Sequence, residues 1–62
     1  MIRKYWFRWA HSPDLVVREP VSAVSLKQAV RKLGLAYRTP SWASEAYMSG
    51  RIELYRTAKF DT

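Results

Sequence analysis

Residue types that support acid–base or nucleophilic chemistry come together at one place in this chain, His11-Ser12-Pro13-Asp14. They are the types of a hydrolytic triad. Such a triad, however, is built in space from separated positions, with a base held against the nucleophile by a third group. Consecutive residues of these types instead meet the needs of a tight turn, where Pro fixes φ and the Ser and Asp side chains bond nearby backbone groups. Elsewhere the supply is thin, because His11 is the sole histidine, cysteine is absent and the 5 carboxylates are scattered. General acid–base and covalent mechanisms need two or three such groups to converge, so the inventory points away from an enzyme. One histidine without cysteines makes no zinc site, and there is no glycine-rich phosphate loop. Neither a metal, a cofactor nor a small-molecule substrate is expected.

A different chemistry is carried by Lys4, Trp6 and Arg8, a tryptophan with a cation two residues away on either side. In an extended chain these three share one face. An indole stacks on a nucleobase with about 1–3 kcal/mol per base, and flanking cations contact phosphates and release counterions. The competing role for Trp6 is burial beneath the second half of the chain. A second basic group is Lys27, Arg31 and Lys32. On a helix Lys27 and Arg31 lie four apart and repel by about 0.2–0.5 kcal/mol. Cations in a last turn offset the helix dipole, a role open to Arg31 and Lys32 but not to Lys27. A third basic group, Arg51, Arg56 and Lys59 with Tyr55, lines a final strand, and Arg38 precedes the segment before it. Were Arg51, Tyr55 and Lys59 to share the face of Lys4, Trp6 and Arg8, the sheet would present a basic aromatic platform opposite its helix. The RNA-recognition fold uses sheet aromatics in a comparable way, but this chain is short for it and lacks its Lys/Arg-Gly-Phe/Tyr strand motif.

The elements that position these residues are legible from periodicity. Ile2 to Trp9 alternates, with Tyr5, Phe7 and Trp9 on one side of a half-buried strand. After the turn, Leu15 to Glu19 resumes a β-rich run and completes an antiparallel hairpin; Pro20 places this strand at an edge or bends it before Val21 to Val24. Ser25-Leu26-Lys27-Gln28 matches a capping box. Leu26, Ala29, Val30 and Leu33 then form one apolar stripe. The spacing predicts a main helix over about 25–33, stopped at Gly34 with Leu35 folding back on Val30. For 41–49 two readings stand: a short second helix capped by Thr39-Pro40 or Ser41, favoured by the three alanines from Ala36 to Gly50, Glu45 and Met48, or a strand of Trp42 to Met48 pairing with Arg51 to Thr57 across Ser49-Gly50. Arg51 to Phe60 reads as a strand with Ile52, Leu54, Ala58 and Phe60 on one side, interrupted by Arg56. The predicted fold is α+β, a small antiparallel sheet of three or four strands with the main helix packed on one face, and residues 1–62 form a single domain.

So small a domain buries only about 60% of the surface its unfolded chain exposes. Without cysteines or a metal, stability must come from dense aromatic packing, for which the chain has 3 Trp, 4 Tyr and 2 Phe, or from self-association. The 11 Lys and Arg against 5 Asp and Glu give a formal charge of +6, which favours an acidic partner. No run reaches the ~18 apolar residues of a membrane helix, and the start Met1-Ile2-Arg3-Lys4-Tyr5-Trp6 lacks the apolar stretch of a signal peptide. With no cysteine, a reducing, cytoplasmic setting and no membrane are expected.

In its size, and in Val21-Ser22-Ala23-Val24-Ser25-Leu26-Lys27-Gln28-Ala29-Val30-Arg31, where a strand end passes into a capped helix start, the chain resembles small phage-encoded inhibitors of the anti-CRISPR type. The resemblance implies a protein that blocks a host nucleic-acid-processing complex by occupying its surface, and it carries over no functional residue. Many such inhibitors are acidic mimics of nucleic acid. A basic one would compete for an acidic protein surface or clamp the nucleic acid in the complex. The expectation is therefore a non-enzymatic binding protein whose partner is DNA or RNA, or an acidic surface of a complex that handles them. An oligomer-forming accessory protein that buries its tryptophans at a self-interface is the further alternative.

Overall fold

Alternating aromatic and β-branched residues hold the first part of the chain in a hairpin. β1 spans Arg3–Ser12 and β2 spans Leu15–Ala23, joined by a turn at Pro13-Asp14. The computed structural model describes residues 2–59, with Lys59 described through its backbone alone. β2 runs straight through Pro20, which lies opposite Trp6. The missing N–H is tolerated because β2 is an edge strand in the sheet order β2-β1-β3.

Ser25 then caps α1, Leu26–Tyr37: its Oγ accepts the Gln28 N–H at 3.2 Å, and Gln28 Oε1 reaches back to the Val24 N–H at 2.9 Å. The helix does not stop at Gly34, as the sequence pattern predicts, but continues one turn further, and Leu35 stays 66% exposed rather than folding back. The glycine answers a packing need. A Cβ on Gly34 would lie 2.3 Å from the Thr39 carbonyl oxygen and 2.6 Å from Pro40 Cα, so its absence lets the start of the next helix pass against α1. Thr39 caps that helix, α2, Pro40–Met48, by accepting the Trp42 N–H on Oγ1 at 3.1 Å. Pro at the first helical position costs no hydrogen bond. The helical reading of this segment holds and the strand reading does not. Gly50, at φ 84°, turns the chain into β3, Ile52–Lys59, which pairs antiparallel with the other side of β1. Phe60, expected at the end of that strand, lies outside the described residues.

The fold is thus α+β, a three-stranded antiparallel sheet with both helices on one face. Its core joins the aromatic side chains of the sheet to alanines and Leu33 of the helices. Tyr5, Phe7, Trp9 and Ile52 are buried against Ala29, Leu33, Ala43 and Ala46. Close approach of alanine-faced helices leaves room for the aromatic rings, which pack edge to face: Trp9 with Tyr37 at 4.9 Å and Trp42 at 6.2 Å, Phe7 with Tyr47 at 6.3 Å. Among the described residues no helix is long and apolar enough to cross a membrane.

Candidate nucleic-acid interface

The helices cover one side of the sheet and leave the other open. On the open side β1 presents Lys4, Trp6 and Arg8, as the alternation requires when Tyr5, Phe7 and Trp9 turn inward. Trp6 sits near the centre of this face, half-buried by its neighbours, with Pro20 of β2 opposite on one side and Arg56 of β3 on the other.

β3 reaches this face through an irregularity. Phe7 pairs with Leu54 while the adjacent Trp6 pairs with Arg56, so Tyr55 is an extra residue with no partner across the ladder. Such a bulge inserts one residue, bends the strand and re-aims side chains. Here it delivers two consecutive residues to the open face. The Tyr55 ring lies 6.4 Å from that of Trp6, tilted at 55°, and the Arg8 guanidinium sits 5.8 Å from the centre of the Tyr55 ring. Arg56 faces the same way by register. Tyr55 is 43% exposed, so one side of this aromatic pair is open to solvent.

Charge on this face is one-sided. Lys4, Arg8, Arg18 and Arg56 occupy its strand positions with Glu53 as the carboxylate. Arg8 donates to Glu53 in a surface ion pair. Arg8 and Arg18 stand directly opposite each other across β1 and β2, an arrangement of like charges that destabilises a ladder. Neither Arg18 nor Arg56 has an ion-pair partner among the described residues. The face as built favours an anion laid along it.

The other residues singled out from the sequence are distributed differently. The register pairs Lys59 with Arg3, in step with Tyr5 and Phe7 rather than with Lys4 and Trp6, because the bulge reverses the alternation after Tyr55. The expected grouping of Arg51, Tyr55 and Lys59 on one face therefore gives way to Tyr55 with Arg56; the Lys59 side chain lies outside the described residues. Arg51 stands just before β3, where its Nε donates to Ser49 Oγ at 2.9 Å and its guanidinium lies 3.9 Å from the Glu45 carboxylate. It closes the α2–β3 turn. Lys27, Arg31 and Lys32 lie exposed on α1, in the helical layer, so the helix group and the sheet group do not merge. Lys32 Nζ donates to the Ser22 carbonyl at 2.9 Å and ties α1 to β2. Arg38 stacks over Trp42 at 5.8 Å.

Sequence reasoning missed Arg18 and Arg56 as members of the open face. The signal for Arg56 was present, since a cation on the apolar side of an alternating strand marks a change of register. His11 is exposed at the hairpin end, and no group of three His, Asp or Glu side chains that could hold a metal occurs among the described residues. The chain matches no protein-family model, no curated protein and no solved structure.

Proposed function

We propose that this protein binds single-stranded nucleic acid on the open face of its sheet and acts on it by binding alone. The observation that carries this reading is the Trp6–Tyr55 pair, set side by side by the β-bulge and surrounded by Lys4, Arg8, Arg18 and Arg56. Aromatic side chains on a basic sheet are the elements that bind unpaired bases: rings take the bases, cations follow the phosphates, and sequence preference stays low because every base has a π-face. Single strands are favoured over duplex because a stacked duplex offers its bases only as edges in the grooves.

Anisotropy of labelled single-stranded DNA, single-stranded RNA and duplex, titrated at several salt concentrations, tests the proposal. The expected result is tighter binding to the single strands, with log affinity falling against log salt at roughly 0.7 per phosphate contacted. Trp6→Ala should remove a stacking contact of about 1–3 kcal/mol, a loss of roughly 5- to 150-fold. Retention of none of these nucleic acids at low salt would overturn the proposal.

A further inference from the structure

A second surface lies on the other side of the molecule. Where α1 and α2 pack against each other they leave an open groove of about 920 Å³ lined by no strand residue among those described, with Leu26, Val30, Tyr47 and Met48 among its apolar lining and Lys27, Arg31 and Lys32 as its charged side chains. Among the described residues no carboxylate lines it. Met48 is 83% exposed and Leu35, also at the groove, 66%. Neither Lys27 nor Arg31 has an ion-pair partner among the described residues, so the repulsion between these two cations on one helix is left unrelieved.

We infer that this groove docks an acidic amphipathic helix of a partner protein. A groove between two packed helices accepts a third helix through apolar anchors spaced at i, i+3 or i+4, and i+7. Leu35 and Met48 supply exposed counterparts for such anchors, and the cations at the groove meet carboxylates on the flanks of the incoming helix. Three other occupants fit less well. A second copy would bring cations against cations, since the helices of this chain carry no carboxylate but Glu45. A nucleic acid would bring no aliphatic groups for the groove floor. A lipid surface is flat and would touch the protruding Leu35 and Met48 without filling the floor between the helices. This inference rests on the helical layer and is independent of the sheet-face proposal.

The test uses the full chain and three labelled synthetic peptides: one with leucines at helical anchor spacing and glutamates elsewhere, one with lysines replacing the glutamates, and one scrambled acidic sequence of the same composition. Binding is read by anisotropy. The amphipathic acidic peptide should bind at least tenfold more tightly than the other two, and should gain helical circular dichroism on binding. Met48→Ser and Arg31→Glu, both at exposed positions, should each weaken it several-fold while the thermal unfolding midpoint stays within a few degrees, whereas Trp6→Ala should leave it unchanged. Equal binding of the acidic and basic peptides, or insensitivity to both groove substitutions, would refute the inference. So would sedimentation as a dimer that Met48→Ser dissociates, or binding to anionic phospholipid vesicles that the acidic peptide fails to displace.

Discussion

One strand supplies the floor of two unlike surfaces. The inward residues of β1 are Tyr5, Phe7 and Trp9, each less than 10% exposed, whereas the outward ones are Lys4, Trp6 and Arg8. Both faces hold a tryptophan, yet in different surroundings: Trp9, 4% exposed, is wedged between Tyr37 and Trp42, while Trp6 stands among cations beside Tyr55. The covered face is therefore where stability resides. The open face contains like charges that oppose stability, as Arg8 and Arg18 do across the β1–β2 ladder.

The largest effect should follow from breaking the covered face. Trp9→Ala is expected to cost about 3–5 kcal/mol, as for other buried aromatic truncations, enough to leave so small a domain largely unfolded; urea denaturation measures it. Trp6→Ala should cost much less, and equal costs would erase the distinction between the faces. The indole N–H of Trp9 is buried and has no hydrogen-bond partner among the described residues. Trp9→Phe should accordingly cost less than the lost ring volume alone would cost, because leaving a buried donor unpaired carries a penalty of about 1–3 kcal/mol.

Next in size is Gly34→Ala. The new Cβ meets backbone rather than a yielding side chain, so α1 and α2 must separate, at about 1–3 kcal/mol as for other overpacked sites. A lowered unfolding midpoint with unchanged nucleic-acid affinity is the expected result. Glu53→Gln should move the open face in the other sense. Removing its carboxylate frees Arg8 and should tighten binding of single strands a few-fold at low salt, with a stability change within about 1 kcal/mol, the usual range for an exposed ion pair. A weakened complex would show that the Arg8–Glu53 pair orients the face rather than blunting it.

The smallest expected effect concerns Tyr37. Partial burial, then the hydrogen bond to Glu19 and its negative charge, push the phenol above its ordinary value of 10.0. Because the folded state favours the protonated phenol, the contribution is full below that ordinary value and is lost as pH rises through the higher folded one. Ultraviolet titration should reveal tyrosinate absorbance developing above the ordinary phenol range, and Tyr37→Phe should abolish that component.

Features that depend on local pattern were legible in the sequence: the alternation of β1, the Ser25 cap, the stripe from Leu26 to Leu33 and the α+β class. Features that depend on what lies across a gap were not. Gly34 has the chemistry of a helix stop, but its neighbours Thr39 and Pro40, which explain it, come close only after α2 folds back. The face of Arg56 is set by its pairing with Trp6 and by the bulge that shifts it, neither of which periodicity within β3 encodes. Pro20 left two outcomes open, an edge or a bend, and the position of β3 on the far side of β1 makes it an edge.

The pairing of Arg3 with Lys59 brings the start of β1 beside the end of β3. In the natural order the β1–β2 hairpin closes locally, whereas the β1–β3 ladder must wait for both helices, since distant pairings bear a larger loop-closure entropy. A linker from β3 to β1, with the chain reopened at the exposed Pro13-Asp14 turn, would make the late ladder a hairpin and the early one a distant closure. Such a circular permutant would keep every contact of the sheet while reversing the order in which its edges assemble.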